Sequence, residues 1–416
     1  MRSVNVACLA WLATLSAAAP SLDPQRPLDI LPIFDASLPS SNKHSIRPSE
    51  AQPFDLIDLH KSLVSIPSVS YTEYNISKWL ASTLEAKGYS TELQQLEDTD
   101  RYNVLAWPGK NRNARTLITS HIDTVPPFYP YGVHSNDTDT VITGRGSVDA
   151  KASVAAQIIA TTKLISDGHV DADDVNLLYV VGEEVSGDGM RAANSLKLTP
   201  DTIIFGEPTE GKLAAGHKGM LGFTIVAKGK ASHSGYPWLG RSANEIMVKA
   251  LSALMDVGAK LPTSDKYGQT TINLGRIDGG VAANVVAETA SAKIAVRIAA
   301  GTPEGIKANI TKAITAAVKE YQSRDDDEVI EFQWASAGYA PVDIDHDVEG
   351  FETFTVNYGT DIPNFEQTVE GQKRYLYGPG SILVAHSDHE AITVGELEEA
   401  VEGYKRLILH SLKEQE

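Results

Sequence analysis

The chain has 416 residues, of which 42% are hydrophobic and 22% are charged, and its formal net charge at pH 7 is −18. This composition is that of a globular protein with one large domain or two smaller ones. The negative charge argues against nucleic acids and anionic membranes as partners, because both would repel an acidic surface.

Residues 1–19 have the order of regions that is typical of a secretory signal peptide. Arg2 precedes an apolar stretch from Val4 to Leu15, and small residues follow at 16–19. The apolar stretch is too short to span a bilayer, and no later stretch is long and apolar enough for a membrane helix. A buried N-terminal strand is the alternative interpretation. The signal pattern leads us to expect a secreted, extracellular protein.

The expectation of secretion affects how three other features are interpreted. The only cysteine, Cys8, lies inside the predicted signal, so the mature chain would have no disulfide and no thiolate metal ligand. Residues 20–50 show no regular spacing of apolar residues and are predicted to form a flexible segment or a pro-segment. Three N-x-[ST] sequences are candidate glycosylation sites, at Asn75, Asn136 and Asn309.

Helical and strand patterns alternate in the first half of the chain. Three stretches with helical spacing and four short β-rich runs follow one another, at 54–64, 74–87, 103–107, 116–120, 152–165, 177–181 and 202–206. The last two runs, LLYVV and TIIFG, are short and mainly apolar, which is typical of strands buried on both faces. The alternation predicts an α/β fold with a mostly parallel sheet and helices on both of its faces.

The pattern changes near residue 215, where a longer predicted strand begins. From there to residue 324 the order is strand, helix, two strands and a second helix, which is typical of a compact two-layer α+β unit. The α/β pattern returns afterwards and ends in a helix with the sequence VGELEEAVEGYKRLILHSL. We therefore predict an α/β domain in two parts, 51–214 and 325–416, with an inserted unit at 215–324.

Five segments of the chain end an apolar stretch with side chains that could bind a metal ion. These side chains are His121 and Asp123, Asp149, Glu183 and Glu184, Glu207, and the group His386, His389 and Glu390. In an open α/β sheet, ligands bind outside the carboxyl ends of the strands, so these groups would converge at one edge. Nitrogen and oxygen ligands without thiolate suit zinc, cobalt or manganese, and the number of carboxylates indicates two ions that share one bridging group.

The segments SHIDTVP, GRGSVDAK, GEE, GEPT and GPGS…AHSDHE together resemble those of a zinc-dependent family of peptidases and amidohydrolases. The family includes acetylornithine deacetylase, succinyl-diaminopimelate desuccinylase, aminoacylase and glutamate carboxypeptidase. The resemblance extends from residue 54 to the end of the chain. It implies a catalytic α/β domain with two zinc ions, which cobalt can replace, and an inserted unit that serves as lid and dimerisation domain.

Carried over residue by residue, the resemblance implies five metal ligands, with Asp149 bridging both ions, His121 and Glu207 completing one, and Glu184 and His386 completing the other. Glu183 would be the general base. Asp123 would orient His121, and the bond from Asp149 to Ala150 would be cis. His389 departs from the family, in which an acidic or amide residue is frequent, and it is a competing ligand beside His386.

The inserted unit carries three further residues that match the family. His233 matches a lid histidine that polarises the scissile carbonyl, frequently from a neighbouring subunit, which implies a homodimer through the lid. Asn284 and Arg297 match residues that hold the carboxylate of the substrate, for which a two-pronged arginine contact is well suited. Ala295 departs from the family at a position that is commonly acidic.

These inferences predict a secreted two-zinc hydrolase of amide bonds, and in particular a carboxypeptidase that releases C-terminal amino acids from peptides. Secretion favours peptides as substrates over the metabolites that biosynthetic deacetylases process inside cells. An N-acyl-amino-acid deacylase with the same site is the first alternative. A catalytically inactive homologue that only binds a partner is the second.

Overall fold

The computed structural model describes residues 54–97, 99–135, 139–322 and 328–413. The predicted signal peptide, the predicted flexible segment and Asn136 lie outside the described residues. Those residues form seven α-helices, α1 to α7, which are Leu56–Ser65, Tyr74–Ala86, Lys151–Ser166, Asp188–Ala193, Ala243–Gly258, Pro303–Ala317 and Val394–Lys413. They also form eighteen strands, β1 to β18, which are Ser90–Gln95, Tyr102–Trp107, Thr116–His121, Gly132–Ser135, Thr140–Thr143, Val175–Val180, Thr202–Gly206, Leu213–His217, Gly219–Lys228, Thr263–Ser264, Gly268–Gln269, Thr271–Gly279, Thr289–Ile298, Ile330–Trp334, Val342–Asp343, Thr353–Val356, Lys373–Tyr377 and Ala391–Thr393.

The main sheet contains six of the described strands, in the order β1-β2-β6-β3-β7-β17. Strand β3 pairs in parallel with β6 on one side and with β7 on the other, and β17 pairs in parallel with β7. Strand β2 runs against its neighbours, since it pairs antiparallel with both β1 and β6. The prediction of a mostly parallel sheet is confirmed, and the carboxyl ends of β3, β6 and β7 meet at one edge.

Successive residues of the central strands enter two different buried layers, as expected of a sheet that is covered on both faces. Leu177 and Tyr179 of β6 pack in the layer that contains α1, α2, α3 and α7, whereas Leu178 and Val180 pack in the opposite layer with α4. The small sheet β15-β8-β16 contributes to the second layer as well. The predicted α/β fold with helices on both faces is therefore confirmed, and a small sheet shares one face with the short helix α4.

Helix α3 lies in the middle of the first layer, and almost all of its residues are buried. Its small side chains, in the run ASVAAQIIA, allow the sheet and the neighbouring helices to approach closely. The helix begins two residues after Asp149, so its packing fixes the position of that residue. None of the described helices is both long and apolar enough to cross a membrane.

A second sheet of the described residues is antiparallel and has the order β12-β13-β9-β14. Helices α5 and α6 cover one of its faces, and the side chains between sheet and helices form a separate hydrophobic core. Ser242 and Thr302 begin the two helices, because their side-chain oxygens accept hydrogen bonds from backbone N–H groups in the first turn. This is the two-layer arrangement that the sequence predicts for the inserted unit.

Candidate metal centre

The predicted metal ligands come from segments that end at the same edge of the main sheet. His121 is the last residue of β3, and Glu207 follows directly after β7. Glu184 lies in the turn after β6, Asp149 precedes α3, and His386 lies in the loop between β17 and β18. Since β3 lies between β6 and β7 in a parallel arrangement, the fold brings these side chains together.

His121 lies between two groups of candidate ligand atoms. Its Nε2 atom is 3.0 Å from Oδ1 of Asp149 and 3.8 Å from Oε2 of Glu207. Ligand atoms of His121, Glu183 and Glu207 all lie within 4.8 Å of one another, and so do those of His121, Asp149 and Glu184. The structure thus assembles the predicted ligands and also brings Glu183, the predicted base, next to one of the two groups.

His386 joins this cluster from the loop between β17 and β18. Its Nε2 atom is 2.9 Å from Oε2 of Glu184 and 3.3 Å from Oδ2 of Asp149. The two carboxylate oxygens of Asp149 therefore face different histidines, with Oδ1 toward His121 and Oδ2 toward His386. This is the geometry that a bridging ligand requires. The peptide bond from Asp149 to Ala150 is cis, as the family resemblance implies.

Asp123 contacts both His121 and the turn that carries the two adjacent glutamates. The Nδ1 atom of His121 is 3.0 Å from the backbone oxygen of Asp123 and 3.5 Å from its carboxylate Oδ1. The carboxylate accepts hydrogen bonds from the backbone N–H groups of Glu183 and Glu184, at 3.1 and 3.3 Å, and from the Ser70 hydroxyl at 2.8 Å. Asp123 thus orients the histidine ring through its carbonyl and holds the turn with both glutamates through its carboxylate.

The acidic groups of the cluster are difficult to ionise together. Burial, with repulsion from Glu207 as the next cause, raises the pKa of Glu183 well above its ordinary value. Burial likewise raises the pKa of Glu207 to about 8 and that of Glu184 to about 6. Hydrogen bonds to Asp149 and Glu184 raise the pKa of His386 to about 10. Bound cations would reverse these trends, because positive charge stabilises carboxylates and neutral imidazoles.

The donor atoms fit metal ions of the zinc type. They are imidazole nitrogens and carboxylate oxygens. Oε1 of Glu184 is buried and has no hydrogen-bond partner among the described residues, so it is available to a cation. Because Nδ1 of His121 donates to the Asp123 carbonyl, Nε2 is left with the lone pair that a metal needs.

A cleft with a volume of about 570 Å³ opens over the cluster. Its lining includes Glu183 and His386 from the main domain and Arg297 from β13 of the inserted unit. His233 and Asn284 are exposed on the inserted unit and are not among the described residues that line the cleft. The structure therefore places Arg297 at the site and leaves the other two lid residues apart from it.

The other predicted residues lie outside the cluster. His389 is largely exposed, and its Nδ1 atom is 2.9 Å from Oδ1 of Asp388, so the described geometry favours His386 over His389 as a ligand. Asn75 and Asn309 are exposed on α2 and α6. Their glycosylation stays a prediction, as does that of Asn136.

Three further buried groups lie around the cluster, namely Arg145, Asp361 and Glu390. The sequence suggested a role only for Glu390, as a potential metal ligand. Arg145 and Glu390 form a buried ion pair, with Nη1 of Arg145 2.6 Å from Oε2 of Glu390. Burial raises the pKa of Asp361 to about 6, and its Oδ2 atom has no hydrogen-bond partner among the described residues. Arg145 and Glu390 lie within the motifs GRGSVDAK and AHSDHE, which could have indicated them. Asp361 lies in YGTDIP, which carries no such signal.

Comparison with known protein sequences gives matches along almost the whole chain. The sequence profile of the peptidase dimerisation domain, M20_dimer, matches residues 215–322. A probable carboxypeptidase of Aspergillus oryzae is 46% identical to the chain, in an alignment that covers 98% of the chain and 99% of the relative. A peptidase M20 domain-containing protein of Sordaria macrospora is 48% identical, over 92% of the chain and 90% of the relative.

Solved structures with the same fold include peptidases of two bacteria. A tripeptidase from Staphylococcus aureus has a TM-score of 0.70 and 20% identity, over 86% of this chain and 98% of that one. A dinuclear metal-binding peptidase of the M20 family from Bacillus subtilis has a TM-score of 0.57 and 16% identity, over 86% of this chain and 97% of that one. These likenesses show that the chain has the fold of those proteins.

Proposed function

The chain belongs to the M20 peptidase family, and on that premise we propose that it is a secreted two-zinc carboxypeptidase that releases C-terminal amino acids from peptides. Membership of the family makes the chain a hydrolytic peptidase. The observation that carries the finer proposal is the pair of ligand groups that share His121 beneath one cleft. The name of the Aspergillus oryzae relative supports the direction of cleavage, and the signal pattern at 1–19 supports secretion.

The ligand groups support two ions that share one bridging residue. His121 and Glu207 would hold one ion, Glu184 and His386 the other, and Asp149 would bridge them. When bound, two zinc ions would polarise the scissile carbonyl and lower the pKa of the attacking water toward neutrality.

The position of Glu183 supports a role in proton transfer. Its carboxylate lines the cleft and lies beside the ligand atoms of His121 and Glu207, while its backbone N–H is held by Asp123. The carboxylate of Glu183 would take a proton from the water and return it to the leaving nitrogen. The neighbouring Glu184 would stay bound to an ion, so the two adjacent glutamates have different tasks.

Arg297 supports recognition of a C-terminal carboxylate. It is half-buried in the cleft wall, and no acidic side chain of the described residues forms an ion pair with it. The missing side chain of Gly359 lets the Tyr339 hydroxyl and the Arg297 guanidinium lie close to the backbone there, because a Cβ at this position would meet both groups. A free, planar guanidinium at the edge of a metal cleft is well suited to bind a substrate carboxylate through two hydrogen bonds.

The specificity can be tested with matched substrates in the presence of zinc and of cobalt. We expect hydrolysis of N-blocked dipeptides with a free C-terminal carboxylate, and a loss of at least about tenfold in kcat/KM when that carboxylate is an amide, because a charged hydrogen bond contributes about 1.5–3 kcal/mol. N-acetyl amino acids serve as the competing substrate class. Faster hydrolysis of these than of dipeptides would replace the carboxypeptidase by an N-acyl-amino-acid deacylase.

Secretion has a separate test. The full chain, expressed in a eukaryotic host with its own N-terminal residues, is expected in the medium with a mature N-terminus after residue 19. N-terminal sequencing of the medium protein would check this, and retention of Arg2 in an intracellular product would contradict it.

A further inference from the structure

Glu390 is buried next to the metal ligands, and both of its carboxylate oxygens are occupied by donors. Oε1 accepts hydrogen bonds from the backbone N–H groups of Val148 and Asp149, at 3.0 and 3.2 Å. Oε2 accepts a hydrogen bond from Nη1 of Arg145 at 2.6 Å. The side chain of Glu390 is only 1% exposed and that of Arg145 only 2%. A carboxylate with these partners is unsuited to be a metal ligand, although its position in AHSDHE suggests one.

Arg145 continues the same network to the loop that carries His386. Its Nη2 atom donates to the backbone oxygen of His386 at 3.3 Å, and its Nε donates to the backbone oxygen of Pro127 at 3.2 Å. His386 has a φ of 64°, a backbone conformation that a residue other than glycine rarely adopts. The contact from Arg145 therefore holds a backbone conformation that would otherwise be unfavourable.

The ion pair thus joins the two loops that would bind one metal ion. Glu390 holds the backbone of Asp149, and Arg145 holds the backbone of His386. Nε2 of His386 lies 3.3 Å from Oδ2 of Asp149. Glu390 itself is fixed by the pairing of β18 with β5 directly after it. Neither charged group is among the described residues that line the cleft.

We propose that the buried Arg145–Glu390 pair is a positioning device that sets the geometry between Asp149 and His386 and thereby the affinity for the ion that these two residues share. The inference rests on the proposed two-metal function. It assigns to Arg145 and Glu390 no contact with substrate. Groups that orient metal ligands in this way typically change metal affinity by about 10–100-fold when they are altered.

The test is a metal titration of the purified, metal-free full chain. Binding of zinc is measured by calorimetry, and binding of cobalt is measured by its visible absorption. We expect the unaltered protein to bind two ions. Glu390→Gln, which has nearly the same shape but leaves Arg145 without its counter-charge, should bind one ion normally and the other about 10–100-fold more weakly. Excess zinc should restore kcat with an unchanged KM, since substrate contacts are untouched.

A matched control comes from a second buried ion pair of the described residues, Arg101–Glu73, with Nη2 of Arg101 2.9 Å from Oε1 of Glu73. Among the described residues, the carboxylate of Glu73 accepts hydrogen bonds from Arg101 and from no predicted metal ligand. Glu73→Gln should therefore lower the melting temperature as Glu390→Gln does, yet keep both zinc affinities. Equal loss of metal affinity in both variants would reduce the Arg145–Glu390 pair to a general structural role and overturn the proposal.

A second variant keeps the proposal testable if Glu390→Gln does not fold. Arg145→Lys retains a positive charge for Glu390, but an ammonium group cannot also span to the His386 carbonyl. Arg145→Lys should therefore weaken binding of the same ion as Glu390→Gln does. Two ions bound with unaltered affinity in Arg145→Lys or Glu390→Gln would refute the positioning role and leave the proposed function standing. Fewer than two ions in the unaltered protein would overturn the proposed function and this inference with it.

Discussion

Glu183 and Glu184 are adjacent in the chain, yet the fold gives their side chains different surroundings. Glu184 points its Oε2 atom at His386, and its Oε1 atom is buried without a partner among the described residues. Glu183 lines the cleft beside His121 and Glu207. Both backbone N–H groups bind the carboxylate of Asp123, so the turn is fixed and neither residue can take the place of the other.

Removal of each glutamate should therefore have a different result. Glu183→Ala is expected to keep both ions and to lower kcat by about 10²–10⁴-fold, the usual contribution of a positioned proton acceptor. Glu184→Ala should lose one ion, because it removes a ligand. Metal content by mass spectrometry and kcat on the same preparations measure both effects. Equal metal loss in the two variants would show that Glu183 is a ligand and not a base.

At the scale of elements, the position of the ligands depends on how closely the helices approach the main sheet. Gly206 ends β7 and directly precedes Glu207. A Cβ on Gly206 would lie 2.7 Å from Cβ of Ser153 in α3 and 2.9 Å from the hydroxyl of Tyr404 in α7. The absence of a side chain at this position therefore allows two helices to pack against the end of the strand and fixes where Glu207 emerges.

Gly206→Ala is expected to force α3 or β7 to shift. The free energy of unfolding should fall by about 1–3 kcal/mol, as is typical of an overpacked core, and zinc affinity should fall with it because Glu207 moves. Gly395→Ala is the matched control in α7, since a Cβ there would have no neighbour closer than 3.7 Å. It should leave the free energy of unfolding unchanged or raise it by up to about 1 kcal/mol, because alanine favours a helix more than glycine does. Urea unfolding of both metal-free variants measures the difference, and equal stability would contradict the packing argument.

The elements near the site could be predicted from the sequence because their patterns are strong. The apolar runs at 177–181 and 202–206 correspond to β6 and β7, and the small-residue stretch at 152–165 corresponds to α3. Strand β1, with the sequence STELQQ, could not be predicted in this way. It is an edge strand with largely polar residues, and its conformation follows from its pairing with β2 and not from its own composition.

At the scale of the whole molecule, the two loops that carry Asp149 and His386 lie far apart in the chain and meet only in the folded state. The motifs of the sequence indicate which residues could bind metal, since histidines and carboxylates follow apolar runs. They do not indicate that Arg145 and Glu390, separated by 245 residues, join those loops. They also do not indicate that the carboxylate of Asp123 holds the Glu183–Glu184 turn, because both features depend on contacts between distant segments.

Metal removal should affect activity and stability together. A chelator is expected to abolish hydrolysis and to lower the melting temperature, because ions that bind only the folded chain stabilise it, by about 2.7 kcal/mol at a free concentration of one hundred times Kd. Zinc or cobalt should restore both properties, and magnesium should restore neither, because it prefers oxygen ligands to imidazole. Differential scanning fluorimetry and an activity assay on one sample provide the measurement. Full activity in a metal-free preparation would remove the metal centre from the reaction.

His233 is exposed on the inserted unit and is not among the described residues that line the cleft. If it polarises the scissile carbonyl, it must reach the substrate by closure of the lid or from a second subunit. A hydrogen-bond donor at the developing negative charge contributes about 10²–10³-fold to kcat. His233→Ala should therefore lower kcat by this factor and leave zinc content and melting temperature unchanged. A near-normal kcat would exclude His233 from the reaction.

Mixing two inactive variants distinguishes the two routes by which His233 could arrive. If a partner subunit supplies the histidine, a dimer of one His233→Ala chain and one Glu183→Ala chain contains one site in which both residues are intact. Mixed samples should then recover up to about a quarter of the unaltered activity, since random pairing makes half of the dimers mixed and each has one working site of two. Subunit exchange is verified first with two differently tagged chains. Exchange without recovery would mean that His233 arrives by closure within its own chain, because each mixed dimer would then contain only sites that lack one of the two residues.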